Sequence, residues 1–252
     1  MATSGNNTIN INLPTAWSQL SKAQLYYLYA LIADNLSLPQ IKTYCFFKWG
    51  KIKILYRQNG GFFIRRGDVK GFLPSEIVTS AIDALDWIDS FPPMPVRIDE
   101  IDEYQAVDAC FVGLPFGNFL AADNYYQGYL HRQDDALLVE LAKILYQTDK
   151  IRLNKSEKIS IFYWFTSAKA YLSKKFSHFF QPFNSSPENL LESNDIGKRI
   201  SDAMNAQIRA LTKGDITKEK EILEMDVWRA LTELDAQARE FEELKRKYNG
   251  KI

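Results

Sequence analysis

A chain of 252 residues, 46% hydrophobic and 25% charged, has ordinary globular composition and is long enough for one large domain or two small ones. Its 31 basic residues balance 31 acidic ones, which excludes an overall field that would draw the whole protein to nucleic acid or an anionic membrane; any such affinity must be local. Cys45 and Cys110 are far apart and lack disulfide-framework or zinc-site spacing, segment 1–8 lacks the basic and apolar regions of a secretory signal, and no run approaches the roughly 18 to 20 apolar residues of a membrane span, so a cytoplasmic protein without a membrane segment is expected.

Residues 1–12 read as a flexible leader that ends in a short extended run closed by Pro14. Ser21 followed three residues later by Gln24 forms a capping box, and Leu25, Leu28, Tyr29 and Ile32 then recur at helical spacing, with Trp17 and Leu20 stapling the start. Pro39 opens a second helix that runs to Trp49 and ends at Gly50. The clearest β signal follows. Apolar-rich runs at 51–56 and 62–65 flank Gln58-Asn59-Gly60-Gly61, where Asn and Gly tolerate the positive φ of a tight hairpin, and a third strand is expected at about 69–73 after Gly67-Asp68.

Pro74 and Ser75 then open a helix expected to place Ile77, Ala81, Ala84, Leu85 and Ile88 on one face. The prolines at 92, 93 and 95 end it, so the chain to about 112 is expected to be extended or irregular. Beyond Pro115 helices are expected at about 116–130, 134–147, 156–176, 196–212 and 217–248, with a loop-rich linker at 180–194. The fold class is therefore mainly α (α+β), with a small antiparallel hairpin or three-stranded sheet near the N-terminus. The expected domains are an α+β domain over 13–112 and an all-helical domain over 113–252.

Three constellations bear on function. Residues 42–70 hold Lys42, Lys48, Lys51, Lys53, Arg57, Arg65, Arg66 and Lys70 against Asp68 alone, interleaved with Tyr44, Phe46, Phe47, Trp49, Tyr56, Phe62 and Phe63. Cations that bind phosphate and rings that stack on bases are the pairing expected of a nucleic-acid surface, with Lys51, Lys53, Arg57, Arg65 and Arg66 as its candidate residues. Residues 83–108 invert the charge, with eight acids against Arg97 alone, so the hairpin's cations have candidate partners within the chain, and a solvated or internally paired face is the preferred reading.

The last helix carries the second constellation. Val227, Leu231, Leu234, Ala238 and Phe241 are spaced 4, 3, 4 and 3, with Tyr248 in register, which makes a narrow coiled-coil-like seam on a helix of about 30 residues. Such a seam seeks either the preceding helix or another protein, and Val227, Trp228, Leu231, Leu234 and Phe241 are the candidate partner contacts. Aromatics at 125–129 suit either a core or an interface, with the core favoured, and the run at 161–165 is apolar on every side of a central helix.

The third constellation is His131 with Asp134 and Asp135. A metal site is the sharper reading of these residues, but Asp134 is also well placed to cap the next helix, and that reading is preferred. No catalytic residue, metal ligand or cofactor is assigned: no G-x-S-x-G, G-x-x-x-x-G-K or G-x-G-x-x-G motif occurs, and neither histidine has a flanking catalytic motif. The chain is expected not to be an enzyme.

Leu13-Pro14-Thr15-Ala16-Trp17-Ser18-Gln19-Leu20-Ser21 with Gln24-Leu25 resembles the opening of a group of proteins from tailed bacteriophages and prophages, particularly those of Bacteroidetes. The resemblance continues through Asp123 to Leu130, Ala203 to Asp215 and Asp226 to Leu234. It implies an assembly or virion-associated protein in the host cytoplasm, by analogy a tail assembly chaperone whose client is the tape-measure or another helical tail protein. No site residue is implied by the group.

Overall fold

The structure, a computed structural model, describes residues 11–180 and 196–249. The expected linker at 180–194, apart from Phe180, and the first ten residues of the expected leader lie outside the described residues. The chain is mainly α with a small antiparallel sheet near the N-terminus, as expected, and forms two compact units, Met1–Phe91 and Pro92–Ile252.

In the first unit, α1 (Lys22–Ala33) starts at the expected capping box: the Ser21 hydroxyl accepts from Gln24 N, and the Gln24 side chain accepts from Ser21 N at 2.9 Å. Leu25, Leu28 and Tyr29 turn inward. The chain before α1 is held by an interlock of indoles. Trp17 Nε1 donates to the carbonyls of Trp87 and Ser90, Trp87 Nε1 donates to Pro14 O, and the two rings meet edge to face at 5.6 Å.

α2 (Leu38–Trp49) ends at Gly50, but not because Gly50 adopts a left-handed conformation. Gly50 has φ −69°, and the left-handed residue is Lys51, at φ +54°. Glycine is required at 50 for space: a Cβ there would lie 2.8 Å from Phe46 O.

Strands β1 (Lys53–Gln58), β2 (Gly61–Arg66) and β3 (Val69–Pro74) form a meander in that order, turning at Asn59-Gly60 and Gly67-Asp68 with Gly60 and Gly67 at positive φ. α3 (Ser75–Asp83) is shorter than expected and is followed by a 3₁₀ turn at Asp86–Asp89. Its inward residue is Val78, whereas Ile77 is 54% exposed; the change of helix type breaks the uniform 3.6-residue register that had grouped Ile77 with Leu85 and Ile88.

The second unit starts at Pro92, earlier than the expected boundary at 112/113, because the segment after the prolines is built into the helical core. A two-residue hairpin, β4 (Glu100–Ile101) with β5 (Tyr104–Gln105), buries Ile101; Tyr146 Oη donates to Ile98 O at 2.5 Å, and Trp164 Nε1 donates to Ala109 O at 2.8 Å. Among the described residues six α-helices follow: α4 (Phe116–Arg132), α5 (Asp135–Leu145), α6 (Lys155–Lys175), α7 (Ile196–Thr212), α8 (Glu219–Glu224) and α9 (Val227–Asn249).

α6 is central, as its all-round apolarity predicts. Ile161, Trp164, Phe165, Ala168 and Leu172 are fully buried, and Phe165 packs against Phe111, Phe119 and Tyr126. Tyr126 therefore belongs to the core. Asp134 caps α5, accepting from Ala136 N at 2.9 Å.

The single terminal helix expected over 217–248 is interrupted. At Met225 and Asp226 the backbone extends and pairs with 114–116: Phe116 N donates to Met225 O at 2.7 Å and Val227 N to Leu114 O at 2.9 Å. Asp226 fastens the break. Its Oδ2 accepts from Gly113 N at 2.6 Å, and its Oδ1 accepts from Trp228 N and Arg229 N, which makes it the cap of α9.

Candidate nucleic-acid interface

The residues proposed for the hairpin are sorted by strand pairing, because successive side chains in a strand point to opposite faces. Cross-strand register aligns Tyr56 with Phe63 and Phe63 with Phe72, and aligns Lys53 with Arg65 and Arg65 with Lys70. In β2 and β3 the two rows lie two residues apart, so they share a face. In β1 the bulge between Ile54 and Tyr56 inserts Leu55 and restores the alternation, which returns Tyr56 to the face of Lys53. One face of the sheet thus carries three aromatic rings beside three cations.

The opposite face is packed at its centre. Ile64 and Leu73 are buried there, Phe62 meets Phe47 edge to face at 5.7 Å, and Arg66 Nε donates to Gly50 O at 2.9 Å, while Ile54, Arg57 and Val69 on the same face are exposed. The aromatic face is open: Tyr56 is 53% and Phe72 46% exposed, and Lys53, Arg65 and Lys70 are all exposed. Tyr56 and Phe63 stack with ring centroids 5.0 Å apart and planes 13° from parallel. Gly61 admits the Phe72 ring to this face, since a Cβ at position 61 would sit 2.8 Å from Phe72 Cζ and 2.3 Å from Leu73 O.

A groove of about 580 Å³ lies beside β1, lined by Tyr27, Tyr44, Phe47, Lys48, Lys51 and Lys53. Lys53 belongs to both the groove and the sheet row, so the two cationic features are continuous. Lys48 Nζ stands over the Tyr27 ring, 5.5 Å from its centroid. Burial, with smaller contributions from Cys45 and Tyr44, raises the Tyr27 pKa above the ordinary phenol value.

Within the first unit, the acids at 83–89 pair with one cation of the basic segment. Lys42, almost fully buried, reaches Asp86 and Asp89 at 2.6 Å each. Among the described residues of the first unit, no carboxylate lies within ion-pair distance of Lys48, Lys51, Lys53, Arg57, Arg65 or Lys70.

Of the five candidate cations, the fold gathers Lys53 and Arg65 on the open face and places Lys51 in the adjoining groove. Arg57 and Arg66 belong to the other face; Arg57 stands 5.7 Å from the Phe62 ring centroid, and Arg66 holds the backbone after α2. Lys70 and Phe72 complete the rows and were not among the candidates. Alternation along 69–73 is the signal that would have found them.

The proposed partner seam is largely internal. Val227 and Leu231 are fully buried and Leu234 is 4% exposed; α9 packs on α4 and α7 through this stripe. Trp228 Nε1 donates to Cys110 O, and its ring lies 5.4 Å from that of Phe176. Val227, Leu231 and Leu234 are core and Trp228 is half-buried because the break at Met225–Asp226 tucks the start of α9 against 113–116. Phe241, 68% exposed, is the one member of the set left open.

His131 is exposed at the end of α4, and the His178 ring pairs with Glu242 at 3.2 Å. Among the described residues, no group of three or more His, Cys, Asp or Glu side chains is placed to hold a metal ion, and no helix is long and apolar enough to cross a membrane. No family model, curated protein or solved structure matches the chain.

Proposed function

We propose that this protein is a non-enzymatic nucleic-acid-binding protein whose N-terminal unit carries the binding surface on its three-stranded sheet. One observation carries the reading: Tyr56, Phe63 and Phe72 lie in a row beside Lys53, Arg65 and Lys70 on a face that the fold leaves to solvent. Exposed rings lower solubility and unpaired cations repel one another, so the combination favours a partner that offers both negative charge and flat apolar surfaces. A nucleic acid offers both.

The test is fluorescence anisotropy with labelled oligonucleotides at two salt concentrations. Three phosphate contacts give a slope of log K against log salt of about −2.1 for a single strand to −2.7 for a duplex, hence a roughly 20- to 40-fold weakening between ~50 and ~200 mM salt. The triple variant Lys53→Glu/Arg65→Glu/Lys70→Glu should abolish binding and leave the circular dichroism unchanged. Binding that is insensitive to salt, or retained in that variant, would refute the proposal.

A second reading, assembly of a phage tail around a helical client such as the tape-measure protein, draws on the distal part of α9. Phe241, Leu244 and Tyr248, spaced 3 and 4, are 68%, 53% and 73% exposed. They form a short apolar stripe suited to a partner helix. Capture of a tape-measure fragment that survives high salt and is lost in Phe241→Asp/Tyr248→Asp would favour this role.

A further inference from the structure

Resting on the nucleic-acid reading, we infer that the ligand is single-stranded: unpaired bases stack on the Tyr56–Phe63–Phe72 row, and the strand continues past the β1 edge into the Tyr27/Tyr44 groove. A duplex keeps the flat faces of its bases inside its own stack and presents phosphates outward. Cations alone would serve such a ligand, and three rings on the same open face would add nothing. Only bases released from pairing offer their faces to Tyr56 and Phe72.

The geometry suits a nucleotide strand in two further respects. The aromatic and cationic rows run side by side across the strands, about 7 Å apart along β2 and β3, so a base on one row can leave its phosphate at the other. The aromatic row spans two strand spacings, about 10 Å, and Tyr56 stacks on Phe63 at the β1 edge, where a base extends the stack by one layer.

From that edge the cations continue. Lys53 is shared with the groove, and Lys51 and Lys48 follow it there beside Tyr27 and Tyr44. The groove is shallow and open, and it offers Tyr27 and Tyr44 beside Lys48, Lys51 and Lys53 to a nucleotide flanking those on the sheet. Sequence-specific reading is not expected, because the open face carries rings and cations with few hydrogen-bonding groups aimed at base edges.

The experiment compares labelled single strands of about ten nucleotides, oligothymidine and oligouridine, with a duplex of equal length. The single strand should bind at least tenfold tighter than the duplex. Tyr56→Ala/Phe72→Ala should weaken single-strand binding at least tenfold with duplex binding unchanged, while Tyr56→Phe/Phe72→Tyr, which keeps the rings, retains it. Lys48→Glu/Lys51→Glu should remove the affinity gained on lengthening the oligomer from about four to about ten nucleotides. Circular dichroism of each variant separates loss of binding from loss of fold.

Equal affinity for single strand and duplex, both lost in the Lys53/Arg65/Lys70 variant, would overturn the single-strand inference and leave the nucleic-acid reading standing. So would single-strand binding that is indifferent to the aromatic pair. Absence of binding to any probe at low salt would overturn both. Comparison of the thymidine and uridine oligomers distinguishes DNA from RNA.

Discussion

Replacing Asp226 by alanine should loosen the start of α9 by an amount that follows from three hydrogen bonds. Two of them, from Trp228 N at 2.8 Å and Arg229 N at 3.2 Å, cap the helix, and losing such a cap costs about 1 kcal/mol. The third, from Gly113 N at 2.6 Å, ties the helix start to the 113–116 segment. It is a charge-assisted bond at a partly exposed site, so its contribution is about 1 to 2 kcal/mol. The total is about 2 to 3 kcal/mol. The two flanking backbone bonds, from Phe116 N to Met225 O and from Val227 N to Leu114 O, remain in the variant and limit the loss to local opening.

Native-state hydrogen exchange resolved by mass spectrometry reads this directly, because peptides from the first turns of α9 report their own opening free energy. Their exchange should accelerate by about 30- to 150-fold, at roughly 1.4 kcal/mol per factor of ten. Asp226→Asn, an equally good helix cap without the charge, should recover about half of the loss. Acceleration below about fivefold in the alanine variant would mean that the backbone pairing alone holds the break, and the clasp reasoning would fail.

Leu231→Asp places a carboxylate at a fully buried site and should destabilise the second unit by about 3 to 5 kcal/mol in urea unfolding, whereas Phe241→Asp, at 68% exposure, should stay within about 0.5 kcal/mol. Equal effects would contradict the assignment of the seam to the core. Lys42 offers a pH signature. Burial lowers its pKa, but the hydrogen bonds and charges of Asp86 and Asp89 outweigh it and leave the value above the usual 10.5. The stability contributed by this ion pair is therefore complete below about pH 10.5 and is lost as pH rises through the higher folded value; the stability difference between the native protein and Lys42→Met should shrink at strongly alkaline pH and be constant from pH 6 to 9. Cys45 is fully buried, and burial pushes its thiol up to about 12, so at pH 8 a disulfide reagent should modify Cys110 in the folded protein and Cys45 only after denaturation.

Local signals were legible wherever the sequence supplies its own partners. The Ser21/Gln24 box, the Asn59-Gly60 turn, the Asp134 cap and the buried run on α6 each depend on residues within one turn or one strand of each other, and each appears where expected. The cationic and aromatic excess of 42–70 was equally plain as composition. Its division into an open aromatic face and a more packed face was not, because a single bulged residue, Leu55, decides which way Tyr56 points. Arg66 shows the same limit: its charge reads like that of Arg65, yet the register turns it to the face where it holds Gly50 O.

The last helix shows where sequence stops and tertiary structure begins. Periodicity alone establishes that Val227, Leu231 and Leu234 share one stripe and that the stripe must be covered, since apolar surface at helical spacing seeks burial. It does not identify what covers it. The cover comes from distant residues: Leu114 and Phe116 pair with Met225 and Val227, Cys110 O receives the Trp228 indole, and Asp226 closes on Gly113. Those contacts span more than a hundred residues of chain, and a local pattern does not encode a partner at that separation. The sequence determined the helices, the hairpin and the faces that needed partners; the tertiary structure buried the α9 stripe and left Tyr56, Phe72 and the three cations of the sheet exposed, with Phe63 half-buried in the row between the two rings.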